Sequence, residues 1–265
     1  MRRLTDKIAL VTGSGRGLGA ACAERFAAEG AAVMIADRDP ETAEATANAI
    51  NETGGRAAFR RADVSVSEDC EAMVADTVDE FGRIDILVNN AGIGMHRPFL
   101  ETTVEEWERV LRINLTGVFL TAQAAARRMV EQGGGRIVNI GSISGQRGGT
   151  GRSAYGTSKA GVHQLTRIMA VELAPAGVAV NAIAPGPVRT DITSHGPQQT
   201  QAYIDRIPMG DYGTRDAVAN AALFLASDEC TFVTGHILNV DGGFNAAGLM
   251  FPLDEMQSYK SGPRD

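Results

Sequence analysis

Tyr155 and Lys159 stand four residues apart in the run YGTSK. On a helix that spacing places both side chains on one face, about 6 Å apart. A tyrosine hydroxyl titrates near ~10, and a neighbouring ammonium favours the phenolate and lowers that value. The pair is therefore a candidate for moving a proton to or from a substrate oxygen. Taken alone, it also fits an ordinary helix with a partly buried Tyr and a surface Lys. Ser142, thirteen residues before Tyr155, follows an apolar run and could donate a hydrogen bond to the same oxygen. Asn114 lies in RINLTGVF, inside a helical stretch. Asn is a poor interior helix residue, so a local kink, a water site or a solvent-facing position would account for it.

A second group of residues has the chemistry of anion and ribose binding. Thr12-Gly13-Ser14-Gly15-Arg16-Gly17-Leu18-Gly19 joins an apolar strand to a helix. Glycines there allow a tight turn, and the helix N-terminus favours a bound pyrophosphate. The spacing is not GxGxxG, because Leu18 occupies the third glycine position counted from Gly13; TGxxxGxG fits instead, on Thr12, Gly13, Gly17 and Gly19. Asp37 ends the next strand, where a carboxylate accepts hydrogen bonds from ribose hydroxyls. It would oppose a 2′-phosphate and so favours NAD over NADP. Arg16 and Arg38 argue the other way, since guanidinium is a natural phosphate fork. Asp63-Val64 and Asn89-Asn90-Ala91-Gly92 end the third and fourth strands, at the sheet edge where ligands bind.

These residues need a scaffold of alternating strands and helices. Apolar runs at 8–12, 31–36, 56–61, 84–89, 136–141, 178–184 and 236–240 predict seven strands. Helical stretches are expected at 17–29, 40–53, 67–81, 103–131, 154–174 and 214–226. Asp39-Pro40 is an N-cap with Pro at the first helical position, and Thr103 to Glu106 has capping-box spacing. The alternation predicts an α/β fold: a parallel sheet with helices on both faces. Residues 1–248 are expected to form one dinucleotide-binding and catalytic domain. The stretch 185–212 reads as irregular, and 249–265, beginning LMFPL, as a tail that crosses a neighbouring subunit or docks on its own.

Composition narrows the function classes. The chain has 265 residues, 44% hydrophobic and 22% charged, close to an average globular protein. Its net charge of −7 argues against nucleic acid as a partner. Cys22, Cys70 and Cys230 are odd in number and contain no CxxC pair, which predicts buried thiols in a reducing cytoplasm. No signal-peptide pattern or membrane-length apolar run occurs. His96, His163, His195 and His236 show no HxxxH or HExxH spacing, so no metal is expected.

Together TGSGRGLG, Asp37, Asp63-Val64, NNAG at 89–92, Asn114, Ser142, YGTSK, Asn181, PGPVRTD at 185–191 and the VDGG near 240 resemble the short-chain dehydrogenase/reductase family, over residues 6 to about 245. The resemblance implies a Rossmann-like doubly wound seven-stranded parallel sheet with helices on both faces, a homotetramer, and a catalytic tetrad of Asn114, Ser142, Tyr155 and Lys159. It implies that Lys159 binds the nicotinamide ribose and that Asn114 holds a water linking Lys159 to solvent. Thr190, with Pro185 and Val188 in the same motif, would meet the nicotinamide carboxamide, and Asn90, Gly92 and Ile140 would border that end. The substrate loops would carry Met95, His96 and Arg97; Gln146, Arg147 and Arg152; and Ile192, His195 and Gln198. That set is polar and partly cationic, which predicts a small polar substrate such as a sugar, polyol or hydroxy acid, interconverted between secondary alcohol and ketone. A 3-oxoacyl-carrier-protein reductase using NADPH is the alternative, and a noncatalytic dinucleotide-binding regulator a remote one.

Overall fold

The computed structural model describes residues 2–190, 196–248 and 250. Seven strands, β1 (Ile8–Thr12), β2 (Ala32–Asp37), β3 (Arg56–Arg61), β4 (Ile86–Asn89), β5 (Gly135–Ile140), β6 (Val178–Pro185) and β7 (Ile237–Val240), form one parallel sheet in the order β3-β2-β1-β4-β5-β6-β7. Each predicted strand is present, with ends shifted by at most two residues. The register runs Val11 to Val88, Val88 to Val138 and Val138 to Asn181, which brings the carboxyl ends of the central strands level. The strand order reverses between β1 and β4, and open α/β sheets bind ligands in the crevice at such a point.

Successive strand residues face opposite sides. In β1, Ala9 and Val11 join the layer built on Phe26, Leu223 and Ala222, from α1 (Gly17–Ala28) and α8 (Arg215–Ala226). Leu10 joins the opposite layer, with Met73 of α3 (Ser67–Phe81) and Met129 of α5 (Gly117–Glu131). Both faces are covered, which is why the central strands read as continuous apolar runs. Burying a side chain such as Phe26 contributes roughly 1.5–3 kcal/mol.

Several helix starts follow from side chains. Asp39 caps α2 (Pro40–Glu52), its carboxylate accepting from the Glu41 and Thr42 N–H groups. Thr103 makes the expected capping box at α4 (Val104–Leu111): its hydroxyl accepts from Glu106 N–H, and its own N–H donates to the Glu106 carboxylate. The helix expected over 103–131 is interrupted by one wide π turn, Arg112–Thr116, with Asn114 inside it. The stretch expected to be irregular contains α7 (Pro197–Ile204), with Pro197 in its first turn. Gly196 precedes it in extended backbone, and Pro at the start followed by Gln and Ala, good helix formers, accounts for the helix. α6 (Ser153–Leu173) carries YGTSK. No helix among the described residues is long and apolar enough to cross a membrane.

Candidate active site

Thr12 and Asn90 lock the β1 and β4 ends together. The Thr12 hydroxyl accepts from the N–H groups of Asn90 and Ala91, both at 3.1 Å, while Asn90 Nδ2 donates to the carbonyls of Thr12 (3.0 Å) and Gly13 (2.8 Å). Gly13 has φ +61, and a Cβ there would stand 2.7 Å from Ala91 Cα. A Cβ on Gly19 would lie 2.2 Å from the Gly13 carbonyl oxygen. These two positions exclude any side chain. α1 begins after Arg16 without a side-chain cap and with no acidic residue in its first turn. Its N-terminus opens onto a cavity of about 450 Å³ lined by Gly13, Arg16, Gly17 and Leu18. Uncapped N–H groups at such an end suit a phosphate anion.

The same cavity is lined by Asp37 and Arg38, by Asp63 and Val64, and by Asn90 and Gly92. Ile140, Tyr155, Lys159, Pro185, Val188 and Thr190 line its other end. The structure thus brings Gly13, Arg16, Gly17 and Leu18 to one cavity with the strand-end residues and the Tyr155–Lys159 pair, while Thr12 and Gly19 of the same turn do not line it. Asp37 is held by the N–H groups of Gly15 (2.9 Å) and Asp39 (3.1 Å). Arg16 and Arg38 are exposed and make no ion pair among the described residues. Burial pushes the Asp63 carboxyl up, but hydrogen bonds from the Ser65 side chain and backbone, with the nearby Arg38 and Arg61 cations, outweigh it and leave the group below its ordinary value. The glycine turn, the uncapped helix end and the carboxylate at the β2 terminus fit a dinucleotide.

At the far end α6 meets β5. Lys159 is buried, and its ammonium donates to the Ile140 carbonyl at 2.8 Å. It sits 5.9 Å from the centre of the Tyr155 ring. Burial lowers its pKa from 10.5 to about 8. The expectation that Lys159 lowers the Tyr155 pKa is not met in this state. Burial instead pushes the phenol above its ordinary 10, and what opposes that is the Ser142 side chain and the Arg152 guanidinium. The physical reason is that desolvation penalises the phenolate more than the surrounding groups repay.

Asn114 is fully buried, not solvent-facing. Its Oδ1 accepts from Ile93 N–H (2.8 Å), and its Nδ2 donates to the Ile93 carbonyl (2.9 Å) and the Ser158 hydroxyl (3.2 Å). The amide thus matches the donor and acceptor of one backbone residue and pins the loop after β4 to α6. The wide turn gives Asn114 room to reach across. A Cβ on Gly92 would lie 3.2 Å from Asn114 Oδ1 and 3.6 Å from Lys159 Nζ, so all three border one space.

His163 escaped sequence reasoning as a site residue. It is buried one helical turn beyond Lys159, and its Nε2 accepts a long 3.5 Å bond from Ser142 N–H. Burial, then the Arg167 and Lys159 cations, lower its pKa to about 4. The signal was present: Tyr155, Lys159 and His163 repeat every four residues along one helix face.

A second cavity, about 560 Å³, adjoins the first over Ser142 and Tyr155. His96, Arg147 and Arg152 line it, as does Met95. Gln146 does not: it is exposed and donates to Asn239 Oδ1 at 2.9 Å. Arg97 also lies elsewhere, paired with Glu106 at 3.7 Å. His195 and Ile192 are outside the described residues, as is 251–265. Sequence reasoning missed Tyr203 and Phe244, which wall this cavity from α7 and from the turn after β7. Neither bears a motif.

A family model described as enoyl-(acyl carrier protein) reductase matches residues 13–245. The 3-oxoacyl-[acyl-carrier-protein] reductase of Aquifex aeolicus is 42% identical over 243 residues, 91% of this chain and 98% of that protein. The cis-4-hydroxycyclohexanecarboxylate dehydrogenase of Sinomonas cyclohexanicum is 43% identical over 243 residues, 91% of this chain and 97% of that protein. Among solved structures, a 7α-hydroxysteroid dehydrogenase complexed with NADH and 7-oxo glycochenodeoxycholic acid aligns with a TM-score of 0.88 at 34% identity, covering 91% of this chain and 95% of that one. Fold, site geometry and similarity over nine-tenths of the sequence agree: the chain belongs to the short-chain dehydrogenase/reductase family, as an oxidoreductase that acts on CH–OH groups with a nicotinamide dinucleotide.

Proposed function

We propose that this chain is an NAD-dependent dehydrogenase that interconverts a secondary alcohol and a ketone on a small polar substrate. One observation carries the reading: Ser142, Tyr155 and Lys159 converge at the end of the same cavity that Asp37 and the uncapped α1 terminus line. When bound, the nicotinamide ring supplies or receives the hydride.

The chain's own residues do the rest. The N–H groups at Gly17 and Leu18, with Arg16, would hold the pyrophosphate. Asp37 would accept from the adenosine ribose, and a 2′-phosphate there would meet its carboxylate. Thr190 would hold the carboxamide. Lys159, with a pKa near 8, is cationic at neutral pH and would bind the nicotinamide ribose. Ser142 and Tyr155 hold the substrate oxygen. Tyr155 gives that oxygen a proton in reduction and takes it back in oxidation. Burial keeps the phenol protonated, the form reduction requires. Oriented donors at the oxygen stabilise charge as it develops. The space that Asn114, Gly92 and Lys159 border suits a water leading from Lys159 to solvent.

The assembly we propose is a cytoplasmic homotetramer. Phe99, Leu100, Val171 and Phe232 are more than three-quarters exposed, and apolar side chains so placed favour burial between subunits. Light scattering tests it. Residues 1–248 acting as one domain belong to the same proposal.

A panel of polyols, aldonates and hydroxy acids with NAD and with NADP, followed by nicotinamide absorbance, tests the activity. Turnover of long apolar alcohols alone would overturn the polar-substrate reading. The second reading, reduction of a 3-oxoacyl thioester, draws on the likeness to the Aquifex aeolicus protein. Faster NADPH than NADH turnover on an acetoacetyl thioester would favour it.

A further inference from the structure

The second cavity has a one-sided charge. Two arginines and a histidine line it and, among the described residues, no Asp or Glu does, in a chain whose net charge is −7. The two arginines are differently placed. Arg147 is engaged by the chain itself: its Nε donates to Asn245 Oδ1 at 2.5 Å, and its Nη2 donates to the Asn245 carbonyl. Arg152 is half-buried, with Cζ 5.2 Å from the centre of the Tyr155 ring. It donates one bond, from Nη2 to the Tyr203 hydroxyl at 3.4 Å, and no carboxylate pairs with it among the described residues. A guanidinium presents five N–H donors in a planar fork matched to a carboxylate. Holding that fork partly out of water beside a phenol, with one long neutral bond, is unfavourable unless an anion joins it.

The surroundings limit the anion. Arg152 lines both cavities, so what it binds lies next to the oxygen held by Ser142 and Tyr155. Tyr203 and Phe244, their ring centres 6.1 Å apart, form a largely aromatic wall of the same cavity, with Ile143. One available guanidinium and a largely aromatic wall match a single carboxylate on a compact carbon body better than a phosphate dianion.

We infer that Arg152 is the substrate's carboxylate anchor and that the substrate is a compact hydroxy acid or its keto acid. The inference rests on the proposed active site and narrows its substrate class. Two features extend it. The fork stands beside the phenol ring and lines both cavities, so a carboxylate bound there would be separated from the reacting carbon by only a few bonds. Its hydrogen bond to Tyr203 couples anion binding to α7, which supplies that wall.

The test uses matched pairs, 3-hydroxybutyrate and cis-4-hydroxycyclohexanecarboxylate each against its methyl ester, with NAD. The wild-type chain should favour acid over ester at least tenfold in kcat/KM. In Arg152→Gln the acid-to-ester ratio should fall at least thirtyfold, carried by KM of the acid, and Arg152→Lys should recover part of it. Unreactive cyclohexanecarboxylate, followed by the fluorescence of protein-bound NADH, gives a readout without turnover: it should bind the wild type and Tyr155→Phe alike and bind Arg152→Gln at least tenfold more weakly. An unchanged ratio in Arg152→Gln, or a wild type that prefers the esters, overturns the anchor while leaving the redox reading intact. Carboxylate binding lost with Arg152 in a chain that oxidises no member of the panel supports the anchor and sinks the dehydrogenase reading. Should Arg152→Gln not fold, wild-type and Arg152→Lys ratios decide by the same criteria.

Discussion

The two cavities share Ser142 and Tyr155 yet are made in different ways. The dinucleotide side is built from backbone: strand ends held level by the sheet, a glycine turn in which Gly13 and Gly19 exclude side chains, and Asn90 bonded to the carbonyls of that turn. The substrate side is built from side chains on loops and late elements: Arg147 tied to Asn245, Arg152 bonded to Tyr203, and an aromatic wall from Tyr203 and Phe244. Backbone-built sites admit few residue types at fixed spacings. A loop wall accepts many sequences, as loops generally do. The first side therefore serves one ligand class across a family, and the second is where members differ.

Of the residues both sides share, Tyr155 should give the largest effect. Tyr155→Phe removes the proposed proton carrier and keeps the ring. Turnover in either direction should fall about 10²–10⁴-fold, the usual worth of a positioned acid or base, while NADH titration stays within about twofold. Equal losses of turnover and NADH affinity would mean that the phenol holds the cofactor instead.

The contrast between the sides can be broken with glycines. Gly19→Ala puts a carbon 2.2 Å from a backbone oxygen. NADH affinity should drop tenfold or more, and the chain should lose about 1–3 kcal/mol, the usual cost of overpacking. Gly148→Ala, in the substrate cavity, meets nothing within 4 Å and should leave NADH affinity within about twofold. Matching losses in both variants, read by calorimetry, would erase the distinction. A smaller, directional effect is expected at Asp37→Ser, which removes the carboxylate that would face a 2′-phosphate and leaves Arg16 and Arg38 in place. The NADPH-to-NADH ratio of kcat/KM should rise about tenfold, the order of one charge-assisted contact. No change would remove Asp37 as the selector.

What the sequence made legible follows the same division. Strands showed because both sheet faces are covered, so Ile8–Thr12 and Ile86–Asn89 are buried throughout and apolar up to their last residue. The dinucleotide cavity showed because its residues sit at strand ends or where only glycine fits. Asn114 showed as an anomaly, an amide inside a helix, but its bonds to Ile93 could not be read without the wide turn that aims it. The Tyr155–Lys159 spacing was right and its consequence was not, because burial depends on everything packed around the pair. Helix α7 was hidden because its eight residues, PQQTQAYI, are mostly polar and show no apolar periodicity, and its start is marked only by Pro197. Tyr203, on that helix, was hidden with it.

His163 shows where the substrate side acquires the rigidity of the other. It lies under the end of β5, a Cβ on Gly141 would stand 2.2 Å from its Nε2, and Ser142 N–H donates to that nitrogen. Only a neutral imidazole can accept there, and its pKa near 4 keeps it neutral through the functional range. The unfolded chain takes up this proton near the ordinary 6.5, the folded chain only near 4. Between those values the unfolded state binds more protons, so stability rises with pH and is lost as pH falls from 6.5 toward 4. His163→Gln keeps an acceptor and removes the titration. Urea unfolding at pH 7.5 and 4.5 should show a wild-type loss about 2–3 kcal/mol larger than the variant's, the linkage expected from those two pKa values. Parallel losses would mean that this ring is not the acid-sensitive contact under Ser142, and that the substrate side is anchored to the sheet by other bonds.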